Sequence, residues 1–240
     1  MMPGLYKDEG IVLKTIKLGE ADRIVTLFTR NNGLVRAVAK GVRKTKSRFG
    51  GRLEPFTQVD LMIYRGRNLD TITSVHILES FSAVKIDLDR LVRAAALAEA
   101  VEKISEERER SFQVYSLLLS GLRELAAGDG VTVVPAFLVK LLSVSGYHPQ
   151  LTVCAGCGSS TDLGGFSAAL GGAVCRRCWE EDDGALRLAP DRISLLAHLL
   201  ASDFGMAADP APASEVTLAL RRYAEYHLER PLRSLQLPAT

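Results

Sequence analysis

The sequence predicts an α+β protein: a five-stranded OB-fold barrel at the amino terminus, then a mainly α-helical domain with a four-cysteine zinc-binding insert. Three observations carry this. Short runs rich in Val, Ile, Thr and aromatics fill the first eighty positions, a three- to four-residue apolar period takes over from Ser80, and the four cysteines fall in one segment. The expected domains are residues 1–80 and 81–240, with the insert at roughly residues 148–186.

Residues 10–18 (GIVLKTIKL), 22–30, 34–40, 56–64 and 69–79 read as strands. Asn31–Asn32–Gly33 joins the second and third, since Asn and Gly accept positive φ, and residues 65–68 (RGRN) join the fourth and fifth. Five strands in so short a span fit a small closed barrel; the OB-fold is the commonest, and an SH3-like barrel is its rival. Residues 88–104, 111–127, 135–144, 190–202 and 214–228 read as helices, the first with Asp87 or Asp89 as N-cap. Disorder is expected only at residues 209–214 (DPAPAS) and the extreme termini.

At 240 residues, 47% hydrophobic and 24% charged, the chain is long enough for two globular domains. Residues 1–7 do not open a secretory signal, and the longest apolar run (residues 131–142) is short for a membrane span and contains Pro135 and Lys140. A cytoplasmic protein is expected, with its cysteines reduced and available to a metal. The net charge of +2 is unevenly spread: residues 1–79 hold 14 Lys and Arg against 8 Asp and Glu, the rest 16 against 20. Any polyanion is therefore expected to meet the front of the chain.

The cysteines read C-x2-C-x17-C-x2-C: Cys154, Cys157, Cys175 and Cys178. Each two-residue gap lets a tight turn aim both sulfurs at one ion, with Gly156 and Gly158 easing the first turn. Four thiolates leave no open coordination position, so one structural Zn2+ is expected rather than a hydrolytic one. A pair of redox dithiols is the alternative, without the βαβ context such motifs have. Arg176 and Arg177 either offset the charge of the tetrathiolate, meet phosphate or are simply solvated. His148 reads as a loop residue, and residues 180–183 (EEDD) as a solvated acidic turn.

The loop after the third strand carries Lys40, Arg43, Lys44, Lys46, Arg48 and Arg52 before its first acid at Glu54. Cations that meet phosphates release condensed counterions, giving strong, sequence-tolerant binding at low salt. An OB barrel takes a single strand across its second and third strands and between its loops. Arg36 and Lys40 share a face of the third strand, and Arg65 and Arg67 lie in the loop between the fourth and fifth. Among the aromatics, Phe28 and Phe56 are expected in the core, and Phe49, set among charges and glycines, against a base. The expected DNA-binding set is thus Arg36, Lys40, Arg43, Lys44, Lys46, Arg48, Phe49, Arg52, Arg65 and Arg67. No P-loop, nucleophile elbow or H-E-x-x-H helix occurs, so a binding role is expected rather than an enzyme.

Residues 9–44 (EGIVLKTIKLGEADRIVTLFTRNNGLVRAVAKGVRK) and 47–56 (SRFGGRLEPF) resemble the amino-terminal domain of the RecO family of recombination and repair proteins. Residues 146–158 (GYHPQLTVCAGCG) resemble the same family's entry into its zinc-binding insert. The likeness covers nearly the whole chain and is weakest beyond Asp191. It implies a non-enzymatic recombination mediator of the zinc-bearing type that binds single- and double-stranded DNA and anneals complementary strands. The implied partners are RecR and the carboxyl-terminal tail of the single-stranded-DNA-binding protein SSB; with them, and often with RecF, the mediator helps RecA load on coated strands. A cytoplasmic, nucleoid-associated location follows. The alternative is a zinc-ribbon adaptor that binds only proteins.

Overall fold

The computed structural model describes residues 4–44, 47, 49–128, 130–202, 204 and 209–236. The chain forms two compact units, Met1–Ala126 and Ala127–Thr240.

In the first unit, β1 (Leu5–Leu18), β2 (Asp22–Thr29), β3 (Gly33–Ala39), β4 (Gln58–Tyr64) and β5 (Asp70–Glu79) close a barrel in the order β1-β2-β3-β5-β4. β3 and β5 pair in parallel, at Ala37–Asp70 and Val38–Thr71; the other neighbours are antiparallel. This is the OB-like arrangement expected. Alternation sends Val25, Leu27, Ala37, Leu61 and Ile63 inward, all at most 1% exposed.

β1 begins at Leu5, before the Gly10 expected. Its polar start, Lys7–Asp8–Glu9, is compatible with a strand because Asp8, 2% exposed, has donors for its carboxylate. It accepts from the backbone N–H of Glu9 (2.9 Å), from Nδ2 of Asn31 (2.9 Å) and from Nδ2 of Asn32 (2.7 Å). In the Asn31–Asn32–Gly33 turn only Gly33 has positive φ, 60°, and a Cβ there would lie 1.8 Å from the Glu109 carbonyl oxygen. The asparagines are needed as donors, the glycine for conformation and closeness.

Three helices follow: α1 (Ser82–Ile86), α2 (Leu88–Ile104) and α3 (Phe112–Ala127). The Asp87 carboxylate accepts from the backbone N–H of Arg90 (3.0 Å), which makes Asp87 the N-cap of α2. α1 has too few residues to show a period. α2 buries Ala94, Leu97 and Val101 and packs on β1, and Gln58 Nε2 of β4 donates to the Tyr115 hydroxyl of α3 (3.1 Å). The change of period near Ser80 is therefore a change of secondary structure inside one compact unit, and the division into units falls after Ala126.

The second unit comprises α4 (Val133–Val144), β6 (Leu163–Ser167), β7 (Gly172–Cys175), α5 (Arg176–Glu180), β8 (Leu186–Arg187), α6 (Pro190–Ala201) and α7 (Pro210–Leu228). α4 is buried on most sides and packs against α6 and α7. The expectation of disorder at 209–214 is corrected: α7 starts at Pro210. A proline in a helix's first turn withholds an N–H that has no intrahelical acceptor there, so Pro210 and Pro212 fit. The insert is a small sheet in the order β7-β6-β8.

Candidate nucleic-acid interface and metal centre

The segment leaving β3 is fastened to the β1–β2 turn. The Gly41 N–H donates to Asp22 Oδ1 (2.7 Å), the Arg43 N–H to the Ala21 carbonyl (3.0 Å), and the Arg43 guanidinium to the carbonyls of Gly19 (3.1 Å) and Glu20 (2.9 Å). Lys40 and Lys44 are exposed on this fixed rim and have no ion-pair partner among the described residues. Arg43 is exposed too, but its guanidinium also ties the two loops together.

Phe49 is corrected. It is 1% exposed and packs in the barrel's apolar interior with Leu53, from either end of a 3-10 turn at Gly50–Leu53. A ring left in solvent would forfeit on the order of 2–3 kcal/mol of burial, so the loop folds its aromatic inward and leaves Arg52 outside. Phe28 and Phe56 are buried as expected. Lys46 and Arg48 lie outside the described residues.

The remaining cations divide by environment. Arg36 is exposed on the outer face of β3 and paired with Glu107 (3.3 Å). Arg65 is partly buried: its guanidinium lies 5.0 Å from the Tyr6 ring centre, and Nη2 donates to Asn32 Oδ1 (3.0 Å). The Tyr6 hydroxyl in turn donates to fully buried Asp70 (2.6 Å), which also accepts from Arg108 Nη2 (2.8 Å) and the Gly66 N–H (2.9 Å). Burial and the Asp70 carboxylate push the Tyr6 hydroxyl above its ordinary pKa. Arg65, expected in the DNA-binding set, is thus engaged in contacts within the barrel, while Arg67 is exposed.

Sequence reading missed a cleft of about 780 Å³ in the first unit, lined in part by Lys7, Arg30, Arg110 and Phe112. Lys7 pairs with Asp60 (3.1 Å), while Arg30 pairs with Glu9 (3.2 Å) and lies over the Phe112 ring. These cations are scattered along the sequence and form no run, and two are matched by acids, whereas Lys40 and Lys44 on the rim have no such match among the described residues.

In the insert, the sulfurs of Cys154, Cys157, Cys175 and Cys178 all lie within 4.8 Å of one another, and those of Cys157 and Cys175 are 3.7 Å apart. A tetrahedral ion with metal–sulfur bonds of about 2.3 Å would have sulfur–sulfur edges of about 3.8 Å, so the donor set fits one. The Gly158 N–H donates to the Cys154 carbonyl (2.8 Å) with φ at 77°, closing the first turn. Gly156 matters for space: a Cβ there would meet Cys178 Sγ at 3.1 Å.

Four sulfurs this close cannot all ionise unless a cation lies between them. Burial pushes Cys154 up, but backbone N–H donors from Cys175, Cys157 and Gly156 outweigh it and bring its pKa down to about 6. Burial and the neighbouring sulfurs push Cys178 up to about 12. The Arg177 guanidinium is held protonated by its hydrogen bond to the Cys178 sulfur and by the charge of Cys157, whereas Arg176 pairs with Glu180 (2.9 Å). Asp182 is more than a solvated acid: it accepts from the Ser167 hydroxyl and the Gly184 N–H. Exposed His148 bonds Ser143 (2.7 Å) and stands outside the sulfur cluster.

An OB-like barrel with a basic rim, followed by a helical unit carrying a four-thiol metal-type cluster, defines the class: a barrel protein with a four-cysteine insert. Comparison narrows it. Residues 1–81 match the family model described as recombination protein O N terminal, and residues 86–236 match that of recombination protein O C terminal. A DNA repair protein RecO from Nocardioides sp. is 46% identical over 96% of this chain and 98% of its own length. Proteins of the same name from Thermobifida fusca and Frankia casuarinae are 43% and 44% identical, over 97% and 96% of this chain and 98% and 97% of theirs. The chain belongs to the RecO family.

Proposed function

We propose that this protein is a non-enzymatic mediator of DNA repair by homologous recombination. It binds single- and double-stranded DNA, anneals complementary strands, and acts with RecR on SSB-coated DNA to help RecA load. The observation that carries the reading is the exposed, fixed pair Lys40 and Lys44 at the rim of an OB-like barrel, in a chain of the RecO family. Phosphates would be met by these lysines with Arg43, Arg52 and Arg67 nearby in sequence or fold, and base stacking by Phe49 forms no part of it. Zn2+ is the metal proposed for the four cysteines, where it would close the knuckles and stiffen the insert. No described helix is long and apolar enough to cross a membrane, and the proposed location is the cytoplasm, at the nucleoid.

The test is annealing of SSB-coated complementary oligonucleotides, together with oligo-dT affinity against salt. Each lost phosphate contact on a single strand removes about 0.7 from the log–log salt slope, so Lys40→Ala, Lys44→Ala and Arg67→Ala together should flatten it by about 2. An unchanged slope with unchanged annealing would remove the rim from the DNA site.

A further inference from the structure

β1 changes neighbours along its length. It pairs with β4 only from Leu5 to Ile11, and two backbone bonds join Val12 to Phe56 and Thr57. Beyond Val12 it is held by β2 alone, up to Leu18. Residues 14–18 therefore present, among the described residues, an open strand edge on a barrel that is otherwise closed. Such an edge carries unpaired backbone donors and acceptors and can template another strand.

Two further observations indicate what that strand is. The register places Ile16 opposite Ile24, and Ile24 opposite Val38, so an aliphatic row crosses the outer face from the open edge inward. Its first member, Ile16, is 52% exposed, and Leu18 next along the same face is 39% exposed. On the strand's other side, Lys17 is exposed with no ion-pair partner among the described residues. Lys14 and Arg36, on the far side of the aliphatic row, are already matched by Glu102 (2.6 Å) and Glu107 (3.3 Å). Unmatched positive charge thus lies on the opposite face, at Lys17 and at Arg23 directly across from it on β2, neither of which has an ion-pair partner among the described residues. Lysines at an edge repel a second copy of the same edge, which disfavours self-pairing. A row of aliphatics without an aromatic offers no stacking platform for bases.

We propose that the open edge of β1 at residues 14–18 accepts an extended acidic segment of a partner protein as an added strand. The segment alternates apolar and acidic side chains: its apolar ones continue the Ile16–Ile24–Val38 row, and its carboxylates on the opposite face meet Lys17 and Arg23. This surface is separate from the DNA reading, and its failure leaves that reading untouched.

The probe is the synthetic peptide Asp-Ile-Glu-Val-Asp-Ile-Glu, titrated into the full-length protein. Backbone amide exchange and isoleucine and valine methyl NMR spectra are recorded on the complex. Added-strand binding slows exchange at residues 14–18 and shifts the methyls of Ile16, Ile24 and Val38. Lys17→Glu should weaken the peptide roughly tenfold, the size of losing one favourable charge pair and gaining a repulsive one across a strand pair. Ile16→Thr, which keeps a β-branched residue at an exposed position, should weaken it about threefold or more without altering oligo-dT affinity. The proposal is overturned if no amide of residues 14–18 gains protection. It is equally overturned if a peptide with Lys in place of each acid binds as well, or if oligo-dT rather than the peptide protects this edge.

Discussion

The barrel and the cysteine insert solve the same problem with different means. The barrel closes its sheet on itself and fills the interior with aliphatic side chains, plugged by Phe49 and Leu53. The insert has strands of five, four and two residues and a small apolar cluster in which three of the four buried members are cysteines. A sheet that small buries too little surface to order itself, so four sulfurs placed to hold one ion would take the place of a core. Interior volume sustains the one, ligand count the other.

The largest effect should come from breaking the ligand set. Cys175→Ser, or a strong chelator, should release the metal and unfold the insert, because structural metal binding is folding free energy there. Trp179 is the chain's one tryptophan and packs against the cysteine cluster, so its fluorescence reports on the insert alone. The barrel's methyl NMR signals should be unchanged; their collapse with the Trp179 signal would show that the units do not stand on separate cores.

In the barrel the costliest single change should be Asp70→Ala. It leaves Tyr6, Arg108 and the Gly66 N–H without their acceptor, and breaking a buried pair from one side costs about 3–5 kcal/mol. Urea denaturation followed by far-UV circular dichroism should show it, with Trp179 fluorescence unmoved at low urea. A smaller effect separates core from DNA contact at Phe49. Phe49→Leu, an apolar swap in a packed interior, should cost about 1–2 kcal/mol of stability and leave oligo-dT affinity unchanged. A base-stacking Phe49 would instead lose about 1–3 kcal/mol of binding with little loss of stability.

The smallest effect concerns His227, which packs among Tyr147, Tyr223 and Tyr226 and whose pKa is lowered by burial. The unfolded chain therefore binds more protons just below the ordinary histidine value of about 6.5, so stability is lost as pH falls through that range. Thermal melts of the second unit should show a shallow decline there, and His227→Phe should flatten it.

The sequence made some features legible because they are local. Alternation marks a strand, a three- to four-residue period marks a helix, and two residues between cysteines mark a knuckle. Lys40 and Lys44 could be read as a charge run for the same reason. What stayed illegible depends on residues far apart in the chain. Arg65 looks like an open loop cation until Asn32, Tyr6 and Asp70 are brought beside it. Asp8 looks like a strand-breaking acid until two asparagines in a distant turn supply donors. Prolines at Pro210 and Pro212 look like a break until their place in a first helical turn is known.

The sequence by itself determined that five strands precede a set of helices, that four thiols are spaced for one ion, and that positive charge gathers after the third strand. Spacing along the chain suffices for these, because they follow from backbone geometry and ligand reach. Only the tertiary structure decided that Phe49 faces inward, which cations are already matched by acids, and that β1 outruns β4 to leave an edge open. Burial and pairing depend on which distant groups arrive at the same place, and closure of the barrel sets that.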